Sequence, residues 1–429
     1  MNYKETINWL DGFQKFGIKL GLERITYICN TLDNPQNNYK TIHVGGTNGK
    51  GSVCKYLGSI LKAGGYKTGV YLSPHLQRFS ERILLDGKEI SEKDIVSLVV
   101  KIKPIVDEMV KNDSMPTYFE IVTAMAFQYF SDKKADFAVI EVGLGGRFDA
   151  TNIVEPVISV ITNVTLEHED ILGKKVEQIA FEKAGIIKKN IPVITGAKGP
   201  ALKVIQNIAK ERNATIYVID NKKWKRVSFD LEGQEFFIKG LLKDYSVKTK
   251  MLGLHQGENI ALTLTAVEQL QMNGFYITDD SIIDGIEKAF NPGRMEVISR
   301  KPCILLDGAH NPAGMKVLED TLRNDFEYEK LILVLGILSD KNIKEILKII
   351  VPLTDIIVTT KSCNPRACDP PQLKKMIEDL KSRKEIVARG KIKNAIDYAK
   401  SIAKKDDLIC ITGSLFTVGE AKDYLVKNH

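Results

Sequence analysis

The sequence predicts an α/β protein of two domains, and three observations carry that prediction. At 429 residues the chain exceeds what one hydrophobic core usually organises. Apolar runs alternate with amphipathic stretches, the pattern of βαβ units feeding a mostly parallel sheet. The segment Asn291-Pro292-Gly293-Arg294 then stops one helix and redirects the chain, so the boundary falls between a domain over 1–294 and a smaller one over 295–429.

Taken in order, residues 41–44 read as a strand, 52–63 as a helix and 68–72 as a strand. A helix over 118–130 follows, then strands at 137–142 and 157–161 and a helix over 176–187. The strands are continuous apolar runs, which implies burial on both faces. Between Trp224 and Lys250 short alternating segments are separated by Gly233 and Gly240, predicting a small antiparallel patch. Helices over 258–272 and 282–289 lead to the boundary. Beyond it, strands at 303–306, 331–335, 355–359 and 408–411 predict a second, Rossmann-like α/β domain.

Composition excludes several classes. Hydrophobic residues make up 44% and charged residues 27%, and no apolar run approaches the ~20 residues of a membrane helix. Met1–Leu10 lacks the features of a secretion signal, so cytoplasmic residence is expected. Six scattered cysteines do not form a disulfide framework, and Cys363 and Cys368 lack a second Cys or His pair for zinc. The net charge of +7 is spread along the chain instead of clustering on one stretch, and the approach of anionic small molecules explains it as well as nucleic acid would. No nucleic-acid partner is therefore expected.

The chemistry begins at Gly45-Gly46-Thr47-Asn48-Gly49-Lys50-Gly51-Ser52, between a strand and a helix. Its glycines let backbone N–H groups approach phosphates, the helix N-terminus adds a positive dipole, and Lys50 reaches the β and γ phosphates. Gly51 stands where a magnesium-holding Ser or Thr would normally follow the lysine, and Ser52 comes one residue late. Ser73, at the end of the second strand in Leu72-Ser73-Pro74-His75, offers a replacement hydroxyl or starts a turn. Glu141 ends the apolar run 137–140, where a carboxylate needs a partner such as magnesium. His168 lies in Glu167-His168-Glu169-Asp170, a candidate ligand or a surface histidine. Lys183 falls in the apolar stripe of Val176, Ile179, Ala180, Ala184 and Ile187. There it either snorkels or is desolvated, and a desolvated neutral amine can take up carbon dioxide as a carbamate. Arg294, Asp307 and His310, the last two in Asp307-Gly308-Ala309-His310-Asn311-Pro312, form a polar edge suited to closing over a nucleotide.

In order, Gly46–Ser52, Ser73-Pro74-His75, Glu141 to Arg147, Glu182-Lys183-Ala184-Gly185, His255-Gln256 with Asn259, Asn291 to Arg294 and Asp307 to Pro312 resemble the folylpolyglutamate synthase and dihydrofolate synthase family, a branch of the Mur ligases. The resemblance implies a phosphate-loop, Mur-ligase-like N-terminal domain. It implies that Ser73, Glu141 and His168 hold one or two magnesium ions, and that Lys183 is carbamylated. It also implies that Thr47, Asn48, Gly49, Lys50, Gly51, Ser52, Asn259, Arg294, Asp307 and His310 hold ATP, with Lys50, Lys183, His168 and Glu141 serving catalysis. The implied substrates are ATP, L-glutamate and folates, with potassium a possible further cation, monomer the expected state and no membrane partner. The segments Ile18-Lys19-Leu20, Thr117-Tyr118-Phe119-Glu120 and Phe148-Asp149-Ala150 look like the pterin-binding loops of members that also take dihydropteroate. A Mur ligase for another carboxylate and a plain phosphate-loop hydrolase are the competing readings.

Overall fold

The structure is a computed structural model that describes residues 1–14, 17, 19–380 and 384–427. Ile18, expected in a pterin-binding loop, lies outside the described residues. The chain forms two compact units, Met1–Lys225 with Phe236–Lys248 and Gly257–Ala289, and Arg226–Glu235 with Thr249–Gln256 and Phe290–His429.

The first unit is built on eight strands: β1 (Lys40–Gly45), β2 (Thr68–Tyr71), β3 (Ile83–Leu85), β4 (Lys88–Glu89), β5 (Phe137–Glu141), β6 (Ile158–Ile161), β7 (Val193–Thr195) and β8 (Ile216–Val218). They form one sheet in the order β4-β3-β2-β5-β1-β6-β7-β8, parallel from β2 to β8, with β3 and β4 an antiparallel edge. The central strands are buried along nearly their whole length, as continuous apolar runs require. The register sets Val44 beside Glu141, Gly45 beside Ile161 and Tyr71 beside Ile140. The carboxyl ends of β2, β5, β1 and β6 therefore lie side by side.

The helix after β1 runs Lys50–Ala63, two residues earlier than the apolar periodicity indicates, because Gly49 caps it in the left-handed region at φ +85°. The helix expected over 176–187 ends at Ala184. A Cβ on Gly185 would lie 2.4 Å from Arg147 Cα, so the chain turns where only glycine fits. Among the helices that escaped the periodicity reading are Tyr3–Asp11, Glu23–Thr31, Glu92–Lys111 and Gly199–Glu211, and the first three share a core. These three pack with the helix Tyr118–Asp132 in one apolar cluster, which includes Leu10, Ile28, Val99 and Phe127.

Between 224 and 249 the chain makes β9 (Trp224–Asp230), β10 (Gly233–Lys239) and β11 (Asp244–Thr249), a small antiparallel sheet in the order β11-β10-β9. In the second unit, β12 (Glu296–Arg300), β13 (Cys303–Asp307), β14 (Leu331–Leu335), β15 (Ile356–Lys361), β16 (Glu385–Lys391) and β17 (Leu408–Thr412) form a sheet ordered β12-β13-β17-β14-β15-β16. All its pairs are parallel except β12 with β13. Helices cover it, including Pro312–Asp325 and Leu415–Lys427.

Candidate active site

The loop after β1 is tied down by the loop after β6. Thr47 N–H donates to Asn163 O at 2.8 Å, Asn48 N–H to Asn163 Oδ1 at 3.0 Å, and Thr165 N–H to Thr47 Oγ1 at 3.1 Å. Thr162 Oγ1 and Asn163 Nδ2 both donate to Asn48 O. The glycines follow from this packing. A Cβ on Gly46, at φ +135°, would meet Thr162 Oγ1 at 1.9 Å, and one on Gly49 would meet Asn259 Oδ1 at 2.5 Å. Asn259, on the helix Gln256–Met272, is thus pressed against the loop after β1. Gly51 and Ser52 lie in the first turn of the helix, with Ser52 buried. Sequence reasoning missed Thr162 and Asn163, although their place just after a buried strand, where ligands gather, was an available signal.

Lys50 and Lys183 converge on one acceptor. Lys183 Nζ donates to Gly46 O at 2.8 Å, and Lys50 Nζ donates to the same oxygen and to Thr47 O, each at 3.1 Å. Lys183 is only 3% exposed. Burial and then the charge of Lys50 lower its pKa to about 7, against the opposite pull of Glu167 and Asp149. Its ammonium does not snorkel to water.

Glu141, 5% exposed at the end of β5, accepts the Ser73 N–H at Oε2 over 3.0 Å, so these two residues meet. A hydroxyl and a carboxylate are the hard oxygen donors that magnesium takes, and this pair fits such an ion. His168 is partly exposed, at φ +50°, and begins the short helix Glu169–Leu172. Its Nε2 lies 3.3 Å from Glu167 Oε1. Burial alone would raise the Glu167 carboxyl, but the hydrogen bond with His168 and the charges of Lys50 and Lys183 hold it at about 2. Glu167 went unnoticed because it sits in a run of charged residues that looks like a solvated loop.

The expected pterin loops divide. Thr117 caps the helix Tyr118–Asp132 and shares a capping box with Glu120, whose carboxylate also pairs with Arg24 at 3.0 Å. Phe119 packs against Gly143, where a Cβ would sit 2.4 Å from its Cζ. Tyr118 lies under the Arg82 guanidinium, 5.5 Å from ring centroid to Cζ. Phe148 is exposed, with the Arg147 guanidinium 4.3 Å from its ring centroid. Asp149 is buried and accepts Leu144 N–H at 2.7 Å and the Thr151 hydroxyl at 2.5 Å, while Ala150 opens a short 3-10 turn. Burial raises the Asp149 pKa against these hydrogen bonds. Lys19 and Leu20 lie in exposed non-helical chain before Glu23.

In the second unit, Asp307 ends β13 and is buried. Its carboxylate accepts Met295 N–H at 3.0 Å and Ala309 N–H at 2.9 Å, which pins the turn carrying Arg294. Burial raises its pKa, partly offset by the Arg294 charge. His310 Nδ1–H donates to Gly308 O at 2.8 Å, and Arg294 Nη1 lies 3.2 Å from where a Gly308 Cβ would stand. Arg294, Asp307 and His310 therefore gather at one end of this sheet. His255, in the same unit, is held at about 4 by burial and then by Arg294. Among the described residues no group of three or more His, Cys, Asp or Glu side chains could hold a metal ion, and all six cysteines are free.

Comparison with known proteins identifies the family. Residues 44–267 match the Mur ligase middle domain, and residues 293–415 match the Mur ligase glutamate ligase domain. The dihydrofolate synthase/folylpolyglutamate synthase of Bacillus subtilis is 36% identical over 435 residues, covering 99% of each chain. The folylpolyglutamate synthase structure from Thermotoga maritima is 38% identical with a TM-score of 0.85, covering 100% of this chain and 97% of that one. Escherichia coli FolC in complex with DHPP and ADP is 30% identical with a TM-score of 0.86, covering 99% and 98%. With its phosphate loop, the Ser73–Glu141 pair and buried Lys183 on a fold shared along the whole length of these relatives, the chain belongs to the folylpolyglutamate synthase/dihydrofolate synthase family of Mur-type ligases.

Proposed function

We propose that the chain is an ATP-dependent ligase that joins L-glutamate to folates, and that it also accepts dihydropteroate. The observation that carries this reading is the meeting of Lys183 and Lys50 at Gly46 O, beside a loop shaped for phosphates. A hydrolase needs a phosphate loop and an acid, but gives no role to a buried lysine with a pKa near neutrality.

The γ-phosphoryl group of ATP passes to the acceptor carboxylate, giving an acyl phosphate and ADP. The glutamate amine then attacks the acyl carbon, and phosphate leaves as the amide forms. Backbone N–H groups of Thr47 to Ser52 and the Lys50 ammonium hold the transferring phosphates, so Lys50 leaves its loop carbonyls when ATP binds. Ser73, Glu141 and His168 would hold magnesium, which neutralises charge on the phosphates. Lys183, as the neutral amine, reacts with carbon dioxide and gives up a proton to become a carbamate, changing a cation into an anion. Asn259, Arg294, Asp307 and His310 complete the nucleotide site, with 1–294 as the ATP- and folate-binding domain and 295–429 as the glutamate-ligase domain. Potassium assistance and a monomeric state complete the reading. Among the described residues no helix is long and apolar enough to cross a membrane.

Mass spectrometry of the products tests the substrate assignment. Incubated with ATP, glutamate and either tetrahydrofolate or dihydropteroate, the protein is expected to convert each into a species heavier by one glutamyl residue. Conversion of tetrahydrofolate alone would remove the dihydropteroate activity and keep the folate one.

A further inference from the structure

Arg82 ends the 3-10 turn Phe79–Arg82 that precedes β3, and it is only 8% exposed. Its carbonyl accepts Leu72 N–H at 2.9 Å, which fixes it beside the carboxyl end of β2, next to Ser73. Its Nε–H donates to His75 Nδ1 at 2.8 Å, and its guanidinium lies over Tyr118. Among the described residues no carboxylate forms an ion pair with it. The adjacent acid, Glu81, is already engaged, accepting the N–H groups of Leu76 at 2.7 Å, Gln77 at 3.1 Å and Arg78 at 2.9 Å. A guanidinium withdrawn from water without a counter-charge is costly, and the cost is relieved when an anion arrives with a ligand.

The hydrogen bond also fixes the His75 ring. Arg82 Nε–H can only donate, so His75 Nδ1 accepts and the ring proton lies on Nε2. The His75 Nε2–H and the two terminal nitrogens of Arg82 have no acceptor among the described residues. Against the guanidinium stands the Tyr118 ring. An aromatic ring beside a cationic fork suits a carboxylate carried on a flat aromatic body. The phosphates of ATP belong to the loop after β1, and β5 separates β1 from β2 in the sheet, which sets the two strand ends about 10 Å apart. A second substrate therefore reaches Arg82 without competing for the phosphate loop.

We propose that Arg82, its Nε–H held by His75, receives the carboxylate of the folate acceptor on its terminal nitrogens and holds it for phosphorylation. This rests on the folate-ligase reading and adds a recognition group to it. Arg82 binds the substrate through a bidentate contact, while the Tyr118 face and the His75 nitrogen keep the fork from rotating.

Binding to the full chain tests it, with tetrahydrofolate and its γ-carboxamide as probes. Wild type is expected to bind tetrahydrofolate about tenfold or more tightly than the amide, the scale of one charge-assisted contact. In Arg82→Gln the two probes should bind alike, both near the wild-type affinity for the amide, while affinity for AMPPCP stays within about twofold. Arg82→Lys, which keeps charge and loses the fork, should fall between. Equal weakening of both probes in Arg82→Gln would make Arg82 a structural residue and overturn the proposal. So would a wild type that does not distinguish the probes, whatever the variants do. Failure of wild type to bind tetrahydrofolate at all would instead overturn the folate reading, and this subsite with it.

Discussion

Lys183 hydrogen-bonds the Gly46 carbonyl in a buried position, where desolvation and the charge of Lys50 outweigh the attraction of Glu167 and Asp149. Its folded pKa of about 7 lies below the unfolded value, so between pH 7 and roughly 10.5 the unfolded chain binds more protons than the folded one. The penalty of burying the charge is therefore complete below pH 7 and fades as pH rises. Urea midpoints in buffer free of carbon dioxide should show wild type gaining stability relative to Lys183→Met from pH 7 to pH 9, and a constant difference would mean the amine is solvated. For activity, Lys183→Arg removes the nucleophilic amine while keeping the charge. Turnover is expected to fall at least about a hundredfold, and a near-normal rate would sink the carbamate. This lysine was legible because a cation in an apolar stripe breaks the helical pattern. Glu167 and Arg82 were not, because groups that act on them, Lys50 on Glu167 and Tyr118 on Arg82, are far away in the sequence.

At the scale of elements, the turn after β1 is specified by what packs on it. Gly46→Ala would place a methyl group 1.9 Å from Thr162 Oγ1 at a φ of +135°, so both sterics and backbone oppose it. We expect a loss of about 1–3 kcal/mol in stability, and loss of ATP binding in the molecules that still fold. Calorimetric titration with AMPPCP and a thermal melt check this, and unchanged ATP affinity would show that the loop tolerates displacement. The βα alternation of both units could be read from apolar runs and turn glycines. The helix Glu92–Lys111 carries a regular stripe of Ile95, Leu98, Val99, Ile102, Ile105, Val106 and Met109 that was open to reading and was missed. The helices Tyr3–Asp11 and Glu23–Thr31 could not be read, because they are short and carry few apolar positions. The end of the Lys183 helix at Ala184 was equally hidden, since it is set by the backbone of Arg147.

At the scale of the whole molecule, the proposal assigns nucleotide contacts to residues of both units. Arg294→Gln is therefore expected to raise the KM for ATP by about tenfold or more, the loss of a charged hydrogen bond to phosphate. An unchanged KM would confine the nucleotide site to the first unit. The central claim is that phosphoryl transfer is coupled to amide formation, and phosphate release measures it directly. With ATP alone, ATP plus glutamate, or ATP plus tetrahydrofolate, the purified protein should release phosphate only at a background rate. With all three it should release one phosphate for each glutamate joined. Equal phosphate release with and without glutamate and tetrahydrofolate would contradict the account and leave a nucleotide hydrolase.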